Sequence, residues 1–141
     1  PPTLAQNVFA DYATHGLSLA AHPLGLIRKN LLARRVRRAS DLARQRNGAW
    51  LRHAGLVTVR QRPQTASGIT FVTLEDETGQ VNVIVRPKVA EACRQALLDA
   101  VLLAVDGQWQ SIEGVQHLVA SRLHDFSDLL PAMASVSRDF H

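Results

Sequence analysis

Two groups of side chains in this 141-residue sequence have the types and spacing to hold a polyanion. The first is a basic run in which Arg34, Arg35, Arg37 and Arg38 surround Val36, offering guanidinium groups that follow any phosphate backbone without base preference. The second is dispersed over residues 55–87, where Arg60, Arg62, Phe71, Thr73, Asn82 and Arg86 occupy alternate positions of three short segments. Guanidinium groups for phosphates and one aromatic ring for base stacking are what single-strand binding requires chemically.

The elements that must position the second group are strands. Val57 and Val59 alternate with Thr58, Arg60 and Arg62; Val72 and Leu74 with Phe71, Thr73 and Glu75; Val81, Val83 and Val85 with Asn82, Ile84 and Arg86. Strand side chains point alternately to opposite faces, so one face is expected to collect the aliphatic residues and the other the arginines, Phe71, Thr73 and Asn82. The competing expectation for Phe71 is a core position, with the strand edge twisting the ring inward.

The formal charge of +4 conceals an asymmetry. Residues 28–62 carry 11 Lys or Arg against the single acid Asp41, whereas residues 63–141 carry 5 basic and 10 acidic residues. Positive charge concentrated in one stretch favours a nucleic-acid partner, the plainer alternative being a solvated face. No run approaches the roughly 20 apolar residues of a membrane helix. The lone Cys93 has no partner for a disulfide or a zinc knuckle, which fits core packing in a reducing, cytoplasmic compartment. There is no signal-peptide pattern, and the Pro-Pro start reads as a fragment or trimmed end.

Along the chain, helical spacing is expected over residues 3–14, a second helix over 24–34 after Pro23, and a third that Ser40 caps and that ends near Asn47-Gly48. His15 and His22 read as capping or packing histidines rather than metal ligands. From Ala49 the period changes from 3.6 to 2, which places a boundary there. A helix over residues 88–100, with Val89, Cys93, Ala96 and Leu97 as its buried stripe, follows the third strand. Two more strands, 102–110 and 115–125, meet at a turn ending in Gly114.

Three strands, a helix, then two strands is the order of a five-stranded OB barrel, so the fold class is mainly β, with the helix between strands 3 and 4 and a small helical segment ahead of the barrel. The expected organisation is a helical lead-in over 1–49, an OB domain over 50–125 able to fold alone, and a tail over 126–141. Gly55 and Gly107 suit the close approaches of a small barrel. A polymerase or nuclease site needs two or three converging carboxylates, and the sequential acids Glu75, Asp76 and Glu77 read instead as a solvated turn. No phosphate-binding glycine loop, nucleophile elbow or HExxH is present. A binding module is the expectation.

LEDETGQVNVIV, together with DYATHGLSLAAHPLGLIR, GLVTVRQRPQTASGITFVTLEDETG, HLVASRLHDFSDLL and the terminal SRDFH, closely resembles the C-terminal region of bacterial error-prone C-family DNA polymerases over nearly the whole chain. The resemblance implies a piece of a DNA-directed DNA polymerase used in damage-induced translesion synthesis, meeting primer–template and single-stranded DNA and working with accessory mutagenesis proteins and a sliding clamp. It also implies that the catalytic carboxylates and their Mg2+ belong to the parent protein, leaving no cofactor in this stretch. QALLD at Gln95 falls inside the expected helix, where its leucines are needed for packing, and so does not read as a clamp-binding peptide. Similarity to the anticodon-binding OB domains of class II aminoacyl-tRNA synthetases puts Phe71 and Asn82 at base-contacting positions and supplies one alternative, a tRNA-binding module. A face that docks an accessory protein is the other, favoured by the acidic second half.

Overall fold

Residues 22–64 and 67–130 are described by a computed structural model. The helix expected over 3–14, His15 and the terminal SRDFH lie outside the described residues. In chain order the elements are α1 (Pro23–Leu26), α2 (Arg28–Ala33), β1 (Val36–Arg37), α3 (Ala39–Leu42), β2 (Trp50–Gln61), β3 (Thr70–Asp76), β4 (Gly79–Val85), α4 (Pro87–Ala92), α5 (Arg94–Asp99), β5 (Leu102–Ile112) and β6 (Val115–Asp125), then a 3-10 turn at Ser127–Leu129. The sheet runs β1-β2-β3-β4-β6-β5, and β2 also pairs with β5. Strands β2 to β6 therefore close a five-stranded barrel with α4 and α5 between its third and fourth strands, an OB fold.

Alternation sets the register. Between β3 and β4, Thr70 to Asp76 pair with Val85 to Gly79 without interruption, so Val72, Leu74, Val81, Val83 and Val85 all turn into the barrel and are buried. The β5–β6 hairpin closes through Glu113 and Gly114, both at positive φ (51° and 82°), the two-residue geometry whose twist matches that of the strands. Gly107 lies at an irregularity in β5, where an added Cβ would run into the Val119 carbonyl. At Gly55 it would meet Glu75 N and Leu74 Cβ, each at 2.9 Å. Both glycines are thus required for close strand contact.

Two apolar clusters form. One fills the barrel and includes Leu42 and Ala39 of α3. The other lies on the outer wall, where Ala54 and Leu56 of β2 and Leu102 and Ala104 of β5 are covered by Leu24, Leu31, Val36 and Leu130. Each large side chain taken fully out of water contributes roughly 1.5–3 kcal/mol.

The segment ahead of the barrel differs from its expected form in three ways. The helix expected over 24–34 is broken at Ile27 (φ −114°, ψ 14°). Val36–Arg37 is a strand, parallel to β2 at Arg52 and His53. The third helix begins at Ala39 with Arg38 at its cap, one residue before the expected Ser40 cap is complete, because its first N–H groups are satisfied from elsewhere in the fold: Ala39 N donates to Asp76 Oδ2 (2.8 Å) and Ser40 N to Thr78 Oγ1 (3.0 Å). The helix expected over 88–100 is likewise two helices, separated at Cys93 (φ −115°, ψ 32°). Leu97 is buried as expected, but Leu98 is 55% exposed, so only one leucine of QALLD packs on the barrel.

Candidate nucleic-acid interface

The uninterrupted β3–β4 ladder puts Phe71 opposite Ile84 and Thr73 opposite Asn82, all on the outer side. Thr73 Oγ1 donates to Asn82 Oδ1 at 3.4 Å, which leaves the Asn82 amide nitrogen available at an exposed position. Phe71 is 37% exposed, and on its other side Gln61 of β2 is its partner, with Val59 opposite Thr73. The outcome is a band of Val59, Gln61, Phe71, Thr73, Asn82 and Ile84 with an accessible ring at its centre. It can offer a ring face to a base and polar groups to base edges.

Arg60 is not part of that band. The β2–β3 register shifts between Val57 and Val59, so the extra residue inverts the alternation: Val57 faces the barrel, Val59 turns outward and Arg60 pairs with Val72 on the inner side. Its guanidinium reaches the end of α5, where Nε donates to the Leu97 carbonyl (2.7 Å) and Nη2 to the Ala100 carbonyl. Burial pushes its pKa below the ordinary arginine value. Arg60 thus closes a helix C-terminus, satisfying carbonyls that would otherwise lack donors.

Arg62 and Arg86 remain at the rim. They sit one residue beyond the Gln61–Phe71 and Thr70–Val85 pairs, and both are exposed. Arg34, Arg35, Arg37 and Arg38 are exposed too, but they flank β1, which pairs with β2 near Arg52, whereas Phe71 pairs at Gln61. Nine residues of strand separate those points, roughly 30 Å along the contour. The run is also pinned: Val36 is 1% exposed, Arg34 lies over the Phe126 ring at 5.7 Å, and the backbone N of Arg38 donates to Asp41 Oδ2 at 3.3 Å.

The Glu75–Asp76–Glu77 turn is structural rather than solvated. The Asp76 side chain is fully buried and accepts from Ala39 N, Thr78 N (2.7 Å), Thr78 Oγ1 (2.8 Å) and Gly79 N (3.1 Å). Arg28 forks onto Glu77 with contacts of 2.7 and 2.6 Å. Burial alone would raise the Glu77 pKa, yet the Arg28 hydrogen bonds and charge, together with a backbone hydrogen bond, hold the carboxylate below its usual value. His22 acts as a cap, its Nδ1 accepting from Leu24 N at 3.1 Å. Among the described residues no group of three or more His, Cys, Asp or Glu is placed to hold a metal ion, and no helix is long and apolar enough to cross a membrane.

Trp50 is an aromatic candidate that the alternation over residues 55–87 does not include. It is 69% exposed at the start of β2, which begins five residues before the alternation counted from Gly55. The available signal was the continuation of period 2 through Trp50 and Arg52.

A family model described as "OB-fold nucleic acid binding domain" matches residues 52–125, just over half of the chain. The chain belongs to this family. Over 99% of its length it is similar to proteins named error-prone DNA polymerase, 52% identical to that of Bordetella parapertussis and 56% to that of Methylococcus capsulatus. It spans only 13–14% of the length of these curated relatives. The resemblance to error-prone polymerases read from the motifs is therefore borne out. Among solved structures, the asparaginyl-tRNA synthetase of Pyrococcus horikoshii complexed with asparaginyl-adenylate superposes with a TM-score of 0.54 at 19% identity, covering 64% of this chain and 22% of that one. That likeness is one of fold.

Proposed function

We propose that this OB fold is the single-strand-binding module of an error-prone DNA polymerase, contacting template DNA during damage-induced translesion synthesis in the cytoplasm. The observation that carries the reading is the accessible Phe71 ring in an outer band that also presents Gln61, Thr73 and Asn82, back to back with the inward-facing Val72, Leu74, Val81, Val83 and Val85 and rimmed by Arg62 and Arg86. With 37% of its surface in solvent the ring is free to stack on a base, and such stacking is sequence-tolerant, as template handling requires. The catalytic carboxylates and Mg2+ of such a polymerase would reside elsewhere in the parent chain, as would its contacts with a sliding clamp and accessory mutagenesis proteins.

The test is fluorescence anisotropy of the 141-residue chain with a labelled single strand at two salt concentrations. Each phosphate contact contributes a slope of about −0.7 for single strands, so two to four contacts predict an affinity loss of about 7- to 50-fold between 50 and 200 mM salt. Binding that is indifferent to salt would point to protein docking and sink the proposal.

A further inference from the structure

The basic run lies apart from the Phe71 band, and its own surroundings contain a second aromatic. A groove of about 510 Å³ is lined by Arg35, Arg37, Trp50, Arg52, Asp106 and Ser121. We propose that this groove is a second contact for single-stranded nucleic acid, with Trp50 stacking on a base while Arg35 and Arg37 hold flanking phosphates.

Several independent features converge there. Trp50 is the most exposed large hydrophobic residue described, at 69%, and it is part of a paired strand, so its ring is presented on a rigid support. A tryptophan free to stack, set beside cations, is the pairing that single-strand grooves use. Arg35 and Arg37 are exposed and have no ion-pair partner among the described residues. The acid in the groove is already neutralised: Arg52 donates to both Asp106 oxygens, and His124 Nε2 lies 2.9 Å from Oδ2. The groove therefore keeps two uncompensated positive charges.

The backbone adds a further observation. Arg35 holds φ of 66°, a left-handed conformation that non-glycine side chains adopt at a cost. That turn carries the chain from α2 into β1 and puts the side chain on the groove wall. Charge and aromatic chemistry together select a polyanion with flat apolar bases, so the occupant argued for is a nucleic-acid strand rather than an acidic peptide. Trp50 and the Phe71 partner Gln61 stand at opposite ends of β2, up to about 35 Å apart along the strand, so one strand of sufficient length would engage both contacts.

The inference rests on the nucleic-acid reading above but makes a separate claim, and the variants separate the two. The 141-residue chain is titrated with a labelled 20-nucleotide oligo-dT, following anisotropy and intrinsic tryptophan emission. The only other tryptophan, Trp109, is 3% exposed, so quenching on binding reports Trp50. Trp50→Ala should weaken binding about 5- to 150-fold and abolish the quench, while Trp50→Phe stays within about threefold. Arg35→Ala with Arg37→Ala should shorten the salt slope by about 1.4. Melting temperatures should be unchanged in Trp50→Ala, because the side chain is exposed. Wild-type affinity in Trp50→Ala, or quenching that survives it, overturns the proposal. Phe71→Ala, measured in parallel, distinguishes the failures: a loss there with none in Trp50→Ala rejects the groove alone, the reverse pattern rejects the Phe71 face alone, and no salt-dependent binding in any chain rejects both.

Discussion

Phe71→Ala and Arg60→Ala should fail in opposite ways, although simple alternation puts the two residues on one face. Phe71 has 37% of its surface in solvent and leaves no closed cavity when truncated, so its loss should cost less than the roughly 3–5 kcal/mol of a buried phenylalanine, about 1–2 kcal/mol. A stacked base is worth about 1–3 kcal/mol, which is 5- to 150-fold in affinity. Arg60 donates to the Leu97 and Ala100 carbonyls from a half-buried position. A hydrogen bond from a charged group contributes about 1.5–3 kcal/mol, and discounting for solvent access gives about 2–3 kcal/mol for the pair. At about 4 °C per kcal/mol, Arg60→Ala should lower the melting temperature by about 8–12 °C, measured by circular dichroism. Its single-strand affinity, taken well below that melt, should stay within about threefold of the wild type. The register shift at Thr58 is the premise of this contrast. If Arg60→Ala loses affinity while melting normally, the side chain faces outward and the premise is wrong. If Phe71→Ala melts early yet binds normally, the stacking role is refuted.

Two further outcomes follow from the buried polar groups. Asp76→Ala strands the N–H groups of Ala39, Thr78 and Gly79, so it should cost about 3–5 kcal/mol in urea unfolding, with Asp76→Asn recovering part; a loss below about 1 kcal/mol would show that the turn holds α3 without it. His53 is fully buried, its pKa lowered by desolvation, and its Nδ1 lies 2.8 Å from the Arg37 carbonyl. A depressed folded pKa means that the unfolded chain takes up the proton first, so this contribution is complete above the ordinary histidine pKa near 6.5 and is lost as pH falls below it. Melting temperature should therefore fall between pH 7.5 and pH 5, and His53→Asn should flatten that slope; an equal slope in the variant would exclude His53 as its source.

Legibility in the sequence followed how local each determinant was. Phe71, Thr73 and Asn82 could be placed because β3 and β4 alternate without a defect, and the Glu113-Gly114 turn because its residue types match the backbone it needs. Arg60 could not, since the irregularity beside Thr58 inverts parity with no glycine to mark it. Helix breaks at Ile27 and Cys93 likewise lack a proline or glycine at the break. The start of α3 was misplaced because its cap is Asp76, 37 residues away, a tertiary partner that no window around Ser40 contains. Trp50 was lost for a related reason. Residues 53–57 are all buried, which hides the period of two, because the outer wall of β2 is covered by the segment that precedes it.

That coverage changes what the basic run is. Ala54, Leu56, Leu102 and Ala104 form an apolar outer row that Leu24, Leu31, Val36 and Leu130 help keep from water, with Ile27, Phe126 and Leu129 packed against them, and Leu42 reaches into the barrel itself. A polycationic tail on a flexible tether would follow a phosphate backbone wherever it ran. Here Val36 is locked into that second core between Arg35 and Arg37, and β1 is bonded to β2, so the two guanidinium groups extend from a segment paired directly to the strand that presents Trp50. Ordering them costs little at the moment of binding, because folding has already fixed the backbone from which they extend. The packing of the lead-in and the placement of its charges are therefore one design: a substitution such as Leu31→Ala that loosens the outer core also loosens the register between Arg35, Arg37 and Trp50.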